Sequence, residues 1–257
     1  RLLIYGITAW VIYQVARQDV RLVTSVMFIV ELISVIIILT LCGVVLVKGT
    51  IQMDLSGFDL RNCSSEKIRL GLIVAIFSFV GFESAATLGQ ETLKSRETIP
   101  WALRTSVAIS SLIFIFWAYV LTIGLQGLPP ELLNQPMPLR FLAEKAGLPI
   151  LSSLIRFAAI LSFFGTTLAG LTAFGRVTYS LAERRVIPTT LARLDPRFRT
   201  PSQALMLGAL AICLIAIGLR SIGLMPNSIY DQAGSFAVLN FVTVYLMIAI
   251  SGFAIIS

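Results

Sequence analysis

The sequence predicts an all-α integral membrane protein of seven transmembrane helices. Three observations lead there. Hydrophobic residues make up 57% of the 257 and charged ones only 13%, where a soluble domain carries about a quarter charged. Seven apolar stretches approach the roughly 20 residues that a hydrocarbon core of about 30 Å requires. The charges gather between those stretches, and the mean hydropathy is +0.90.

In chain order the stretches are Leu2 to Ala16, Leu22 to Val47, Leu70 to Leu88, Trp101 to Leu125, Ile150 to Ala182, Ala204 to Leu219 and Phe236 to Ser257. The first is short and begins at the start of the chain with Arg1 rather than Met, which reads as a piece of a longer polytopic protein. Trp101, Trp117, Tyr119 and Tyr230 lie at or near the ends of stretches, where amphipathic rings favour the headgroup layer. Between the fourth and fifth, the Pro-rich segment Leu128 to Pro149 holds a short helix from Pro138 to Ala146, either a cover for the outer vestibule or a connector.

Composition removes several classes of function. The chain has no histidine and three cysteines (Cys42, Cys63, Cys213), so it cannot build a His-based triad, a Cys/His zinc cluster or a multi-disulfide scaffold. It has no Gly-rich phosphate loop followed by Lys-Ser/Thr. No enzyme, cofactor or metal is expected. The net charge of +7 is distributed over loops between apolar segments, so it points to membrane topology rather than to nucleic acid.

Basic residues orient the bundle. Arg17, Arg21, Lys94, Arg96, Arg104, Arg176, Arg184, Arg185, Arg193, Arg197 and Arg199 fall on one side, 11 of the 20. The cluster from Arg184 to Arg199 places that side, with loops 17–21, 89–100 and 183–201, in the cytoplasm; the expected location is the plasma membrane. The loop 49–69 and the Pro-rich segment then face outward.

Two acids inside helices carry the functional signal. Glu31 lies nine residues into the second stretch, about 13 Å deep by helical rise. A charge there is costly by about 2.5–3.5 kcal/mol, so it faces a cavity, pairs, or is a protonated packing residue. Glu83 follows Ser78 and Gly81 and precedes Ser84 and Thr87. Glycine lowers the cost of leaving helical geometry, and hydroxyls take up freed backbone groups. Such a segment either breaks, offering carbonyls and a half-helix N-terminus to a ligand, or stays intact as a small-residue packing face.

The run Phe77-Ser78-Phe79-Val80-Gly81-Phe82-Glu83-Ser84-Ala85-Ala86-Thr87-Leu88-Gly89-Gln90-Glu91, followed by Arg96-Glu97-Thr98-Ile99-Pro100, resembles helix 6 and the following loop of amino acid permeases. These belong to the amino acid, polyamine and organocation superfamily. Gly170, Gly175-Arg176-Val177, Val186-Ile187-Pro188 and Asp195-Pro196-Arg197-Phe198-Arg199-Thr200-Pro201 are similar to that family's helix 8 and its basic exit loop. The likeness covers family helices 4 to 10. It implies part of a leucine-transporter-type bundle of two inverted repeats, with family helix 6 broken near residues 78–83: residues 1–48 as the last two helices of the first repeat, 49–69 as an extracellular loop, and 70–257 as the second repeat. Helices 1 to 3, 11 and 12 lie outside this likeness, so the chain carries half of a binding site.

The resemblance further implies substrate contact at Phe77, Ser78, Val80, Gly81 and Phe82, with Phe77 closing over substrate and the Phe77 and Val80 carbonyls receiving an ammonium group. It implies coupling or gating by Glu83 and Glu31, and ion contact at Thr166 and Thr167. Each residue also has a plainer role: Phe77 as lipid or core contact, Glu83 as a brace, and the threonines bonded to their own helix. The chain departs from the family where Glu31 replaces a lysine of several relatives, in Leu93-Lys94-Ser95, and at Arg185, where glycine is common. The implied function is a secondary transporter of amino acids or amines, driven by a proton or sodium gradient through alternating access. Its partners are a small-molecule substrate, a coupling ion and the lipid bilayer. The alternative is a non-transporting membrane scaffold or receptor-like subunit, favoured if the helix runs intact through Gly81.

Overall fold

Helix α1, Leu2–Ala16, ends where Arg17 and Gln18 close its last turn on the Tyr13 and Val15 carbonyls. Asp19 then starts α2, Val20–Val47, by accepting the Arg21 N–H on its carboxylate at 2.8 Å, an N-cap that satisfies an orphan donor. The computed structural model describes residues 2–47, 64–89, 92–125 and 138–256. Most of the expected outer loop 49–69, the segment Leu128 to Met137, Cys63, Gln90 and Glu91 lie outside them, as does the side chain of Glu83.

Six further α-helices follow among the described residues: α3 Ser65–Phe79, α4 Ser95–Gly124, α5 Pro138–Lys145, α6 Pro149–Glu183, α7 Ser202–Ser221 and α8 Pro226–Ile256. Short 3-10 helices occupy Phe82–Leu88 and Thr189–Ala192. Five helices are long and apolar enough to cross a membrane: Arg21–Val47, Ser95–Gly124, Pro149–Glu183, Ser202–Ser221 and Ser228–Phe253. The 15 residues of α1 rise only about 22 Å. The third expected stretch is divided between α3 and the 3-10 helix that follows it. The chain is thus a multi-pass α-helical membrane protein.

Two helices begin well before their apolar stretches. Helix α4 starts at Ser95, six residues ahead of Trp101, and accommodates Pro100 in its second turn. Helix α8 starts at Pro226, ten residues ahead of Phe236. Hydropathy marks where a helix enters an apolar layer, whereas backbone hydrogen bonding continues through polar turns such as Arg96-Glu97-Thr98.

Helices α5, α6 and the segment after α7 end alike. Gly147 (φ 72°), Arg185 (φ 61°) and Gly223 (φ 90°) stand in the left-handed region, and each donates to the carbonyl three residues back, while the next residue donates five back. This is the Schellman closure, which glycine ordinarily serves. Arg185 therefore occupies a glycine position geometrically, the departure noted in the sequence.

The chain forms two compact units, Arg1–Gly57 with Ser111–Ile217, and Phe58–Ser110 with Gly218–Ser257. The first holds two apolar cores. One joins Leu41, Cys42 and Val45 of α2 to Val120, Leu142, Ala143 and Ile155; the expected short helix, α5, is thereby seated on α6 rather than standing free. The other joins Ile12 and Ala16 to Val23, Leu168, Leu171 and Leu205. Helices α6 and α7 meet closely: a Cβ on Gly175 would lie 2.6 Å from Leu205, and one on Gly208 would lie 2.7 Å from Leu171 and Phe174. In the second unit α3 packs on α8.

Candidate functional site

Ser64 caps α3 by accepting the Lys67 N–H, and the helix then runs apolar to Phe79. There it stops. Val80 is extended (φ −61°, ψ 131°), its N–H donating to the Phe77 carbonyl at 3.1 Å, and Gly81 is left-handed (φ 116°, ψ −20°). The chain resumes as the tighter helix Phe82–Leu88. A Cβ built on Gly81 meets nothing within 4 Å, so glycine is required here by its backbone angle and not by crowding. The broken helix expected near 78–83 is present, and the break falls at Val80–Gly81.

The residues on either side are held by α8. The half-buried Phe77 ring stands edge-on to Tyr230 at 6.2 Å and 78°, with the backbone of Gly234 beneath it, where an added Cβ would come within 3.4 Å of the ring. Phe82 packs at 6.1 Å against Tyr245, itself 6.1 Å from Phe241. Ser78 donates to the Val74 carbonyl at 2.9 Å, so its hydroxyl closes on its own helix. Glu83 sits by backbone in the 3-10 segment.

The first unit holds the other expected residues. Glu31 on α2 accepts from the Ser162 hydroxyl on α6 at 3.2 Å. One turn along, Ser34, only 2% exposed, donates to Val30 of its own helix and to the Ala158 carbonyl of α6 at 3.2 Å. The α2–α6 seam therefore carries a polar ladder with an acid at its open end. Thr166 is exposed, and Thr167 donates to the Phe163 carbonyl at 2.8 Å. Thr167 also borders a mostly apolar cavity of about 290 Å³, lined by α1, α6 and α7 residues including Tyr5, Thr8, Leu171 and Cys213. Among the described residues no group of three or more Asp, Glu, Cys or His side chains converges.

Ser162 was not singled out in the sequence, because 131 residues separate it from Glu31. A helical signal existed: Ser162 and Thr166 lie four apart on one face of α6. Asp195, which in the sequence is one residue of a longer motif, organises the exit loop. Its Oδ1 accepts the N–H groups of Arg197 and Phe198 at 2.9 and 3.2 Å, and its Oδ2 faces Arg17 Nη2 at 3.2 Å. Those backbone donors, and then Arg17, hold its carboxyl below the usual range. Thr200 donates to the Arg17 carbonyl at 2.7 Å. Arg140 likewise lowers Glu144, to which Ser152 also donates.

Fold and site together define a multi-pass helical membrane protein with an interrupted helix. The chain belongs to the amino acid permease family, whose sequence profile matches residues 3–257. It is similar to the γ-aminobutyric acid permease of Bacillus subtilis, 29% identical over 76% of this chain and 40% of the relative. It is also similar to an uncharacterized transporter of Mycobacterium tuberculosis, 31% identical over 58% of this chain and 35% of the relative. A third relative is the D-serine/D-alanine/glycine transporter of Escherichia coli, 27% identical over 68% and 35% respectively. The chain spans little more than a third of the length of these curated relatives.

Proposed function

We propose that the protein is a secondary active transporter of amino acids or related amines, working by alternating access in the plasma membrane. The interruption at Val80–Gly81 carries the reading. A membrane helix gives up hydrogen bonds only beside protein or a water-filled cavity, and the freed backbone dipoles suit a zwitterion. An intact helix through Gly81 would have favoured the non-transporting scaffold; the left-handed Gly81 supports the transporter. Two of the relatives, a γ-aminobutyric acid permease and a D-serine/D-alanine/glycine transporter, support a small substrate with an amine and a carboxylate.

In this reading Phe77, Ser78, Val80, Gly81 and Phe82 form the part of the substrate site that this chain supplies, within the second of two inverted repeats. Glu31 and Glu83 serve coupling to a proton or sodium gradient, with Thr166 and Thr167 as ion contacts. The loops 17–21, 89–100 and 183–201 face the cytoplasm. Uptake of radiolabelled amino acids into proteoliposomes, by a protein that carries these residues together with the remaining helices of the permease bundle, under imposed proton or sodium gradients tests it, with Glu31→Gln and Glu83→Gln alongside. Gradient-driven uptake that either substitution uncouples is expected. A folded protein that accumulates no member of a broad amino acid and amine panel would sink the proposal.

A further inference from the structure

The segment between α6 and α7 has five exposed arginines: Arg184, Arg185, Arg193, Arg197 and Arg199. Among the described residues none of the five forms an ion pair. The segment's own acid, Asp195, is 8% exposed and already engaged by two backbone N–H groups and Arg17; Glu183, at the end of α6, is the adjacent exposed acid. Arg197 lies over the Phe198 ring at 5.1 Å, and among the described residues no carboxylate pairs with any of the five, so the segment keeps an excess of positive charge.

Placement and order add to charge. The segment links two helices that are each long and apolar enough to cross a membrane, so its ends lie at the level where apolar core gives way to headgroups. It is not an open strand. The 3-10 turn Thr189–Ala192 packs against α6, the backbone of Asp195 and Thr200 pair at 2.8 Å, and Arg199 closes on the Asp195 carbonyl at 2.8 Å. Between the arginines, Val186 is 67% exposed and Leu194 44%. A basic surface carrying apolar residues suits a partner that is anionic at one level and greasy just beneath it.

We propose that the segment Arg184–Arg199 is a docking surface for the phosphate headgroups of anionic phospholipids, which the planar donor fork of arginine suits, with Val186 and Leu194 entering the acyl boundary. Anionic lipids of the cytoplasmic leaflet attract such basic juxtamembrane segments. The inference uses the cytoplasmic side given to this loop above but not the transport activity.

The test is lipid selection by the purified protein from micelles of equal parts phosphatidylglycerol and phosphatidylcholine, read by native mass spectrometry. The protein is expected to retain phosphatidylglycerol with an enrichment of about fivefold or more, the factor that one favourable surface charge supplies. The triple substitution Arg184→Gln, Arg193→Gln, Arg197→Gln should bring this close to parity, and the corresponding lysine triple should keep most of it. A control triple on the same expected side, Arg21→Gln, Arg96→Gln, Arg104→Gln, should leave it unchanged. Parity in the unsubstituted protein, or an equal loss in the control, would overturn the proposal. So would displacement of the lipid by a polyglutamate peptide, which would assign the surface to an acidic polypeptide. Lipid selection persisting in a protein with no uptake would leave this inference standing and remove only the transport reading.

Discussion

Gly81 sets the break in the helix, and its environment separates two explanations of a glycine at this point: a crowded neighbourhood and a backbone angle. With open space around the Cβ position and φ at 116°, alanine would meet no neighbour yet would have to hold a backbone angle that L-residues avoid at about 1–2 kcal/mol. Gly81→Ala is therefore expected to lower thermal stability in detergent by about that amount and to reduce uptake. Unchanged melting and uptake would show that the break does not need the left-handed angle. The break was legible beforehand because glycine and hydroxyls in an apolar helix are locally conspicuous. The partners of Phe77 were not, since Tyr230 and Gly234 on α8 are brought to it only by tertiary packing.

Among the elements, α6 and α7 depend on small residues that face side chains rather than space. Gly175 receives Leu205, and Gly208 receives Leu171 and Phe174. Added methyls here force leucine or phenylalanine out of place, an overpacking that typically costs about 1–3 kcal/mol. Gly208→Ala should lower the melting temperature measured by tryptophan fluorescence, whereas Gly218→Ala, which has nothing within 4 Å, should not. The existence of these helices could be read from hydropathy, and α5 was placed to within a residue. Their starts could not, because polar turns such as Arg96-Glu97-Thr98 remain helical without contributing apolar signal. Glu31 was recognisable as an acid out of place, but its bond to Ser162 was not.

On the scale of the whole molecule, the links between distant parts of the sequence were the least legible, since composition and periodicity report on neighbours. The Arg17–Asp195 pair spans 178 residues. Asp195, with its carboxyl held low by the Arg197 and Phe198 N–H groups and by Arg17, favours the folded state wherever it is ionised. Its depressed value means that this contribution is present above the ordinary 3.8 and is lost as pH falls through the lower folded value. Asp195→Asn should therefore melt earlier than the unsubstituted protein near neutral pH, and the gap should close on acidification; a gap independent of pH would refute the assignment.

The same tie bears on how the chain is made. The end of α1 is finished by groups that follow it by 178 and 183 residues, the Asp195 carboxylate and the Thr200 hydroxyl. During vectorial synthesis Arg17 leaves the ribosome long before either partner exists, so its guanidinium is at first met only by Gln14 and Tyr13 of its own helix and by water or lipid. Only when the exit loop emerges, after α6 has been inserted, can that terminus lock. Nascent chains arrested short of residue 195 would thus hold α1 by apolar contact alone, making completion of its polar end a late checkpoint of assembly.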